Sequence, residues 1–223
     1  MTHKVRVWDL PTRLFHWALV ATTIALIVSA NIGGNAMTWH LRFGHVMLAL
    51  LAFRLTWGLL GGRWSRFANF LYSPARLLAY LRGRPSGAHD DVGHSPLGAL
   101  SVFALLAVLL LQVGSGLMSD DEIAFSGPLT RFVSGATVGL ATWWHKDVGK
   151  YLLIALVVLH LLAISYYALV RRRVLVAPMV HGDKLLPASA PASRDDAITR
   201  SLAALVLAAA GALAWWVHGL GAF

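Results

Sequence analysis

Five apolar runs divide this chain, and each is long enough to cross about 30 Å of hydrocarbon. They extend approximately over Leu14 to Ile32, Thr38 to Leu60, Leu97 to Met118, Val148 to Val170 and Ile198 to His218. Inside a bilayer every backbone N–H and C=O must be satisfied within the segment, so runs of this kind fold as helices. Composition agrees: 57% of residues are hydrophobic and only 13% charged, well under the roughly 25% charged that a soluble domain carries. The expected fold is an all-α integral membrane protein, a four-helix transmembrane bundle with a fifth C-terminal transmembrane helix. The first run follows charged Lys4, Arg6 and Arg13 and has no small-residue cleavage site, so it reads as a retained span rather than a signal peptide.

The basic residues set the orientation. Lys4, Arg6 and Arg13 precede the first span, and Arg54, Arg63, Arg66, Arg76, Arg82 and Arg84 end the second or follow it. Arg171, Arg172, Arg173, Lys184, Arg194 and Arg200 follow the fourth, so three, six and six put fifteen of the 19 Lys and Arg on one side. By the positive-inside rule the N-terminus is cytoplasmic and the C-terminus periplasmic, in a bacterial inner membrane. The net charge of +9 is thereby explained without nucleic acid. Trp8, Trp17, Trp57 and Trp64 fall near the cytoplasmic boundary, and Trp39, Trp143, Trp144, Trp215 and Trp216 near the outer one, as interfacial belts do.

Between spans, Leu71 to Arg84 suits a short helix on the anionic inner leaflet, ended by Pro85, Gly87 and Gly93. Ser95 and Pro96 supply an N-cap and a first-turn proline for the third span. Three stretches result: 1–185, carrying the four-helix domain; a linker, 186–197; and 198–223, the additional helix.

Histidine placement gives this architecture its chemistry. His145 and His160 lie fifteen residues apart on the fourth span, about 22 Å along the axis and separated by only about 60° around it. Counting depth along the alternating spans pairs His16 with His160 toward the cytoplasm and His40 with His145 toward the outside, two bis-histidine sites on three helices. Imidazoles at such depth are costly unless partnered. Iron in a haem held by two imidazoles suits pure electron transfer, since no axial position stays open. The chain has no cysteine, which excludes iron–sulfur ligation and covalent c-type attachment. The simpler reading is interfacial histidines with ordinary hydrogen bonds. Zinc or copper is a weaker rival, because neither level gathers Cys, Asp or Glu ligands.

His45, five residues after His40, points about 140° away from it and is the alternative ligand in the second span. His40 and His145 are each followed by a glycine four positions on, Gly44 and Gly149, which leaves room for a flat macrocycle against the helix. Arg13 and Arg54 are placed to meet haem propionates at the cytoplasmic boundary; Arg42 and Lys146 could do so outside, and a snorkelling Arg54 is the plainer alternative. His3, His89, His181 and His218 read as solvated, and His94 as a cap or proton carrier.

Several stretches resemble the prokaryotic cytochrome b561 family, which includes the cytochrome b subunits of nickel-iron hydrogenases. They are Val-Arg-Val-Trp-Asp-Leu-Pro-Thr-Arg-Leu-Phe-His-Trp at 5–17, Phe-Arg-Leu-Thr-Trp-Gly at 53–58 and Gly-His-Ser-Pro-Leu-Gly-Ala-Leu at 93–100. Gln112, Gly116-Leu117, Asp120-Asp121 and Gly127-Pro128-Leu129 continue the match, which covers roughly 5–185. The resemblance implies a bundle holding two haems b on His16, His40, His145 and His160. The fifth span lies outside the usual bundle. The fifteen-residue spacing is one longer than the family's commoner fourteen, which calls for a bulge or a rotated imidazole in the fourth helix.

The function expected is transmembrane electron transfer between a periplasmic redox partner and membrane quinone, the quinone being supplied by the resemblance. The chain itself makes no bonds and reads as the electron-transfer subunit of an oxidoreductase. Expected partners are membrane lipid, quinone and a periplasmic c-type cytochrome, hydrogenase or other dehydrogenase, with Asp120, Asp121 and Glu122 as an outer acidic surface; self-association is left open. Two alternatives stand: a self-sufficient quinone-linked oxidoreductase such as a superoxide oxidase, and, from another class, a non-redox transporter or assembly subunit with structural histidines.

Overall fold

The computed structural model describes residues 2–84 and 92–221; Pro85, Gly87 and His89 lie outside that range. Strand β1 (His3–Arg6) leads into α1 (Leu10–Ile32) and α2 (Ala36–Leu60), then short α3 (Pro74–Leu81) and α4 (Pro96–Leu117). Next, α5 (Gly135–Trp143), a π-helical turn (Trp144–Gly149) and α6 (Lys150–Leu169) run on as one 35-residue helix. Helix α7 (Val176–His181), strand β2 (Asp183–Leu186) and α8 (Ala197–Gly219) complete the order. Among the described residues, five helices are long and apolar enough to span a membrane. The fold is that of an all-α, multi-pass membrane protein, with one two-stranded antiparallel ribbon in which His3 faces Leu186 and Arg6 faces Asp183.

Local chemistry explains the boundaries. Asp9 caps α1, its Oδ1 accepting the Thr12 N–H at 2.8 Å, while Ser73, Ser95 and Asp196 do the same for α3, α4 and α8. Gly33 and Gly34 take left-handed φ values of 68° and 52°, which lets α1 reverse into α2 in a few residues. The fourth spanning helix starts at Gly135, thirteen residues before the apolar run at Val148. Lys146, Asp147 and Lys150 interrupt the hydrophobic pattern but not the helix. The irregularity that the fifteen-residue spacing called for is the π-turn, which contains His145 itself. A π-turn takes one residue more than an α-helical turn.

The chain divides into two units. The first takes in the chain up to Phe15 with Leu55–Ala104 and Val158–Ala204. Its core gathers Val5, Val7, Trp8, Trp64, Val92 and Leu186, and its polar centre is Asp9, fully buried. Besides capping α1, Asp9 accepts from Trp57 Nε1 at 3.2 Å, Gly62 N at 3.1 Å and Ser65 Oγ at 3.0 Å. Trp8, Trp57 and Trp64 are buried within this unit: Trp57 donates to this carboxylate, and Trp64 donates to the Pro191 carbonyl. Arg6 bridges Asp183 and Asp195 at 2.5 and 2.7 Å, and Asp195 also accepts the first α1 N–H, of Leu10, at 3.1 Å. The connection before α8 is thus fastened, with Ser193 donating to the Val7 carbonyl at 2.7 Å.

The second unit comprises His16–Arg54, Leu105–Val157 and the chain from Leu205. Met47, Leu50, Leu51, Leu106, Val108, Leu109, Leu153, Ala210, Ala214 and Val217 are buried in it, whereas Ile24, Val28, Leu110, Leu111 and Leu205 are exposed as lipid-facing side chains are.

Candidate cofactor centre

Within the second unit α2 and the π-turn bring two imidazoles face to edge. The His40 and His145 ring centroids lie 6.0 Å apart with planes at 83°. Each ring is tied at Nδ1 to the backbone of a neighbouring helix: His40 donates to the Leu26 carbonyl of α1 at 3.0 Å, and His145 to the Gln112 carbonyl of α4 at 2.8 Å. A carbonyl can only accept, so both rings carry their proton on Nδ1 and keep an Nε2 lone pair. In each case a serine stands three residues beyond the accepting carbonyl. Ser29 Oγ lies 3.4 Å from His40 Nδ1 and Ser115 Oγ 3.5 Å from His145 Nδ1. Two neutral imidazoles with oriented rings and available Nε2 atoms form a donor pair suited to an iron ion.

Glycines admit the close approaches. A Cβ on Gly116 would stand 2.7 Å from His145 Cε1, and one on Gly149 would run into Gln112 Oε1 and Trp144 Nε1. A Cβ on Gly44 would meet nothing within 4 Å. The two glycines thus differ: Gly149 is covered by protein, Gly44 is open.

The remaining candidates are placed as follows. His45 turns back on its own helix, donating to the Leu41 carbonyl at 2.8 Å, and packs against His218 of α8 with centroids 4.9 Å apart. His218, expected in solvent, is exposed, with its ring against that of His45. His16, half-buried, stands edge-on to Trp17 at 5.1 Å. It belongs to the second unit and half-buried His160 to the first. Arg54 is buried in the second unit, and Arg13 in the first donates to the Val180 carbonyl at 2.6 Å. His94 is flanked by Trp8 and Phe70, at 4.7 and 4.4 Å. Between α4 and α5, Asp121 accepts the N–H groups of Phe125, Ala124 and Ile123, which hold its carboxyl below the usual range. Among the described residues no three His, Cys, Asp or Glu side chains gather as a metal cluster. Gln112 and the two serines carried no ligand signal in the sequence; the only clue was Ser115 three residues after a Gln on an otherwise apolar span.

A multi-pass helical membrane chain with paired, backbone-oriented imidazoles and no cysteine has the construction of a membrane b-type cytochrome, an electron-transfer protein. The family model for prokaryotic cytochrome b561 matches residues 7–182, and the chain belongs to that family. It is 24% identical to a probable Ni/Fe-hydrogenase B-type cytochrome subunit of Cupriavidus necator, over 79% of this chain and 85% of the relative. Subunits of the same description from Escherichia coli K12 and Azotobacter chroococcum are each 23% identical, covering 79% and 84% of this chain and 88% and 91% of theirs. No solved structure matches. The family match ends before α8, so the His45–His218 contact involves a helix beyond it.

Proposed function

We propose that the chain carries electrons across the inner membrane through two haems b, between membrane quinone and a periplasmic redox partner. The observation that carries this reading is the His40–His145 pair. An iron ion shared by the two imidazoles would need their centroids roughly 6 Å apart, and the observed separation is 6.0 Å. Both Nδ1 protons are already committed to carbonyls, the arrangement that orients a ligating histidine and raises its basicity. Haem held by His40 and His145 would supply reversible one-electron chemistry, and two imidazole ligands would keep small ligands off the iron.

The second pair, His16 with His160, rests on matched depth in the sequence. Arg13 and Arg54 are proposed as the cations facing propionates at the cytoplasmic end, and open Gly44 as the place where the macrocycle edge lies against α2. The basic residues clustered before α1, between α2 and α4 and after α6 favour a cytoplasmic N-terminus. The relatives' description as hydrogenase cytochrome subunits supports a hydrogenase or related dehydrogenase as partner, with the Asp120–Glu122 segment as the docking side for a basic surface such as a c-type cytochrome.

Purified protein should yield about two extractable haems b per chain with low-spin spectra, and quinol added to membrane vesicles should reduce both. Protein that contains no haem by extraction and pyridine assay overturns the proposal; a single haem overturns the two-site form of it.

A further inference from the structure

We infer that Gln112 is a positioning residue that sets the plane and basicity of His145, and through it the potential and spectrum of the haem that His145 holds. The inference rests on the reading of His40 and His145 as axial ligands. Gln112 grips His145 at two points. Its backbone carbonyl accepts the ring Nδ1–H at 2.8 Å, and its side-chain Nε2 donates to the His145 backbone carbonyl, also at 2.8 Å. One bond on the ring would let the imidazole pivot about it; the second fixes the backbone from which the ring extends.

That second bond falls where the helix most needs it. His145 lies inside the π-turn, whose extra residue takes the local carbonyls off the α-helical i, i+4 register. The Gln112 side chain thus ties a carbonyl of this irregular turn to α4. His40, in a regular part of α2, has the matching ring bond to Leu26 and the matching serine, and no glutamine clamp is needed there. The clamp is also seated from behind. Gln112 Oε1 and Trp144 Nε1 are both buried without a hydrogen-bond partner and both lie against the bare face of Gly149, where the missing Cβ leaves room for the amide whose nitrogen faces the His145 carbonyl.

The consequence is spectroscopic as well as structural. The two ring planes stand at 83°, and near-perpendicular axial imidazoles give low-spin ferric haem a strongly anisotropic EPR signal, whereas parallel planes give a rhombic one. A firm Nδ1–H···O=C bond makes the imidazole more electron-donating and favours ferric iron. Loosening it raises the midpoint.

The test uses the full-length holoprotein with Gln112→Leu and Gln112→Met, which fill the same space without a donor. Haem content, ferric EPR spectra and redox titrations are compared with those of the unmodified chain. The expected result is that one haem loses anisotropy and titrates at a higher potential in both variants while the other haem is unchanged. Loss of that one haem alone, with the other retained, also supports the clamp. Should Gln112→Leu not fold, Gln112→Met, with its unbranched chain, gives the same readouts. Wild-type EPR and midpoints in the folded variants would show that Gln112 only fills space and overturn the inference. A separate arm, His40→Ala, tests the underlying reading: if haem content stays at the unmodified value there, the ligand assignment fails whatever the Gln112 variants do.

Discussion

Gly116 of α4 lies directly against the His145 ring: a Cβ built on it would stand 2.7 Å from Cε1 and 3.1 Å from Nδ1 of the imidazole. Gly116→Ala must therefore push the ring away from the Gln112 carbonyl, at an overpacking cost of about 1–3 kcal/mol. The expected outcome is loss or spectral change of the haem on His40 and His145. Gly44→Ala is the informative companion, because no protein atom lies within 4 Å of its added Cβ. If the macrocycle packs on Gly44, the alanine variant keeps the stability of the haem-free protein and weakens haem retention. Equal haem affinity in Gly44→Ala and the unmodified chain would remove Gly44 from the site.

Asp9 predicts a stability effect distant from any haem ligand. It caps α1 and receives Trp57, Gly62 and Ser65 while fully buried. Asp9→Asn puts an amide N–H₂ where an acceptor stood, opposite a backbone N–H or the indole, leaving at least one buried donor unsatisfied. About 2–4 kcal/mol should be lost, read as a lower midpoint in thermal or denaturant unfolding in detergent. A change within 0.5 kcal/mol would mean that water or another donor arrangement replaces the carboxylate.

The first unit should weaken in acid. Burial works to raise the Asp183 and Asp195 carboxyls, but the bonds and charges of Arg6 and Lys4 on the one, and of Arg200, Leu10 N–H and Arg6 on the other, prevail and hold both below the usual range. A depressed folded pKa means that the unfolded chain takes up protons first as pH falls. The stabilisation is whole above the ordinary carboxylate value of about 3.9 and is lost as pH drops through the folded values. Asp195→Asn should flatten this acid limb while lowering stability at neutral pH; an unchanged limb would assign acid loss to other groups.

What the sequence revealed, and what it hid, follows from the range of each interaction. Long apolar runs, the Ser95 cap and the amphipathic stretch that became Pro74–Leu81 are local and were legible. The π-turn showed itself only as a spacing one residue too long. The start of the fourth helix at Gly135 was hidden because Lys146, Asp147 and Lys150 look like a span boundary, although a charged face interrupts a hydropathy pattern without breaking a helix. Strands of four residues that pair across about 180 positions leave no periodic trace. Asp9 carries no signal of its buried role in the sequence, because Trp57, Gly62 and Ser65 reach it from α2 and the chain beyond it only in the fold. Gln112 is likewise ordinary until it meets His145.

The choice between His40 and His45 admits the sharpest single experiment. His40 reaches across to α1 through Nδ1 and stands 6.0 Å from His145, whereas His45 bonds its own helix at Leu41 and packs on His218 of α8. Two rings that share an iron need centroids roughly 6 Å apart, which His40 and His145 have, whereas the His45 and His218 rings are closer, at 4.9 Å. His40→Ala and His145→Ala should each lower haem content from about two per chain to about one, and the same haem should vanish from the reduced spectrum in both. His45→Ala should keep the full complement, with its effect confined to the docking of α8. Should His45→Ala lose a haem and His40→Ala retain both, the ligand in α2 is His45, and α8 then lies against a haem-bound helix face rather than beside one.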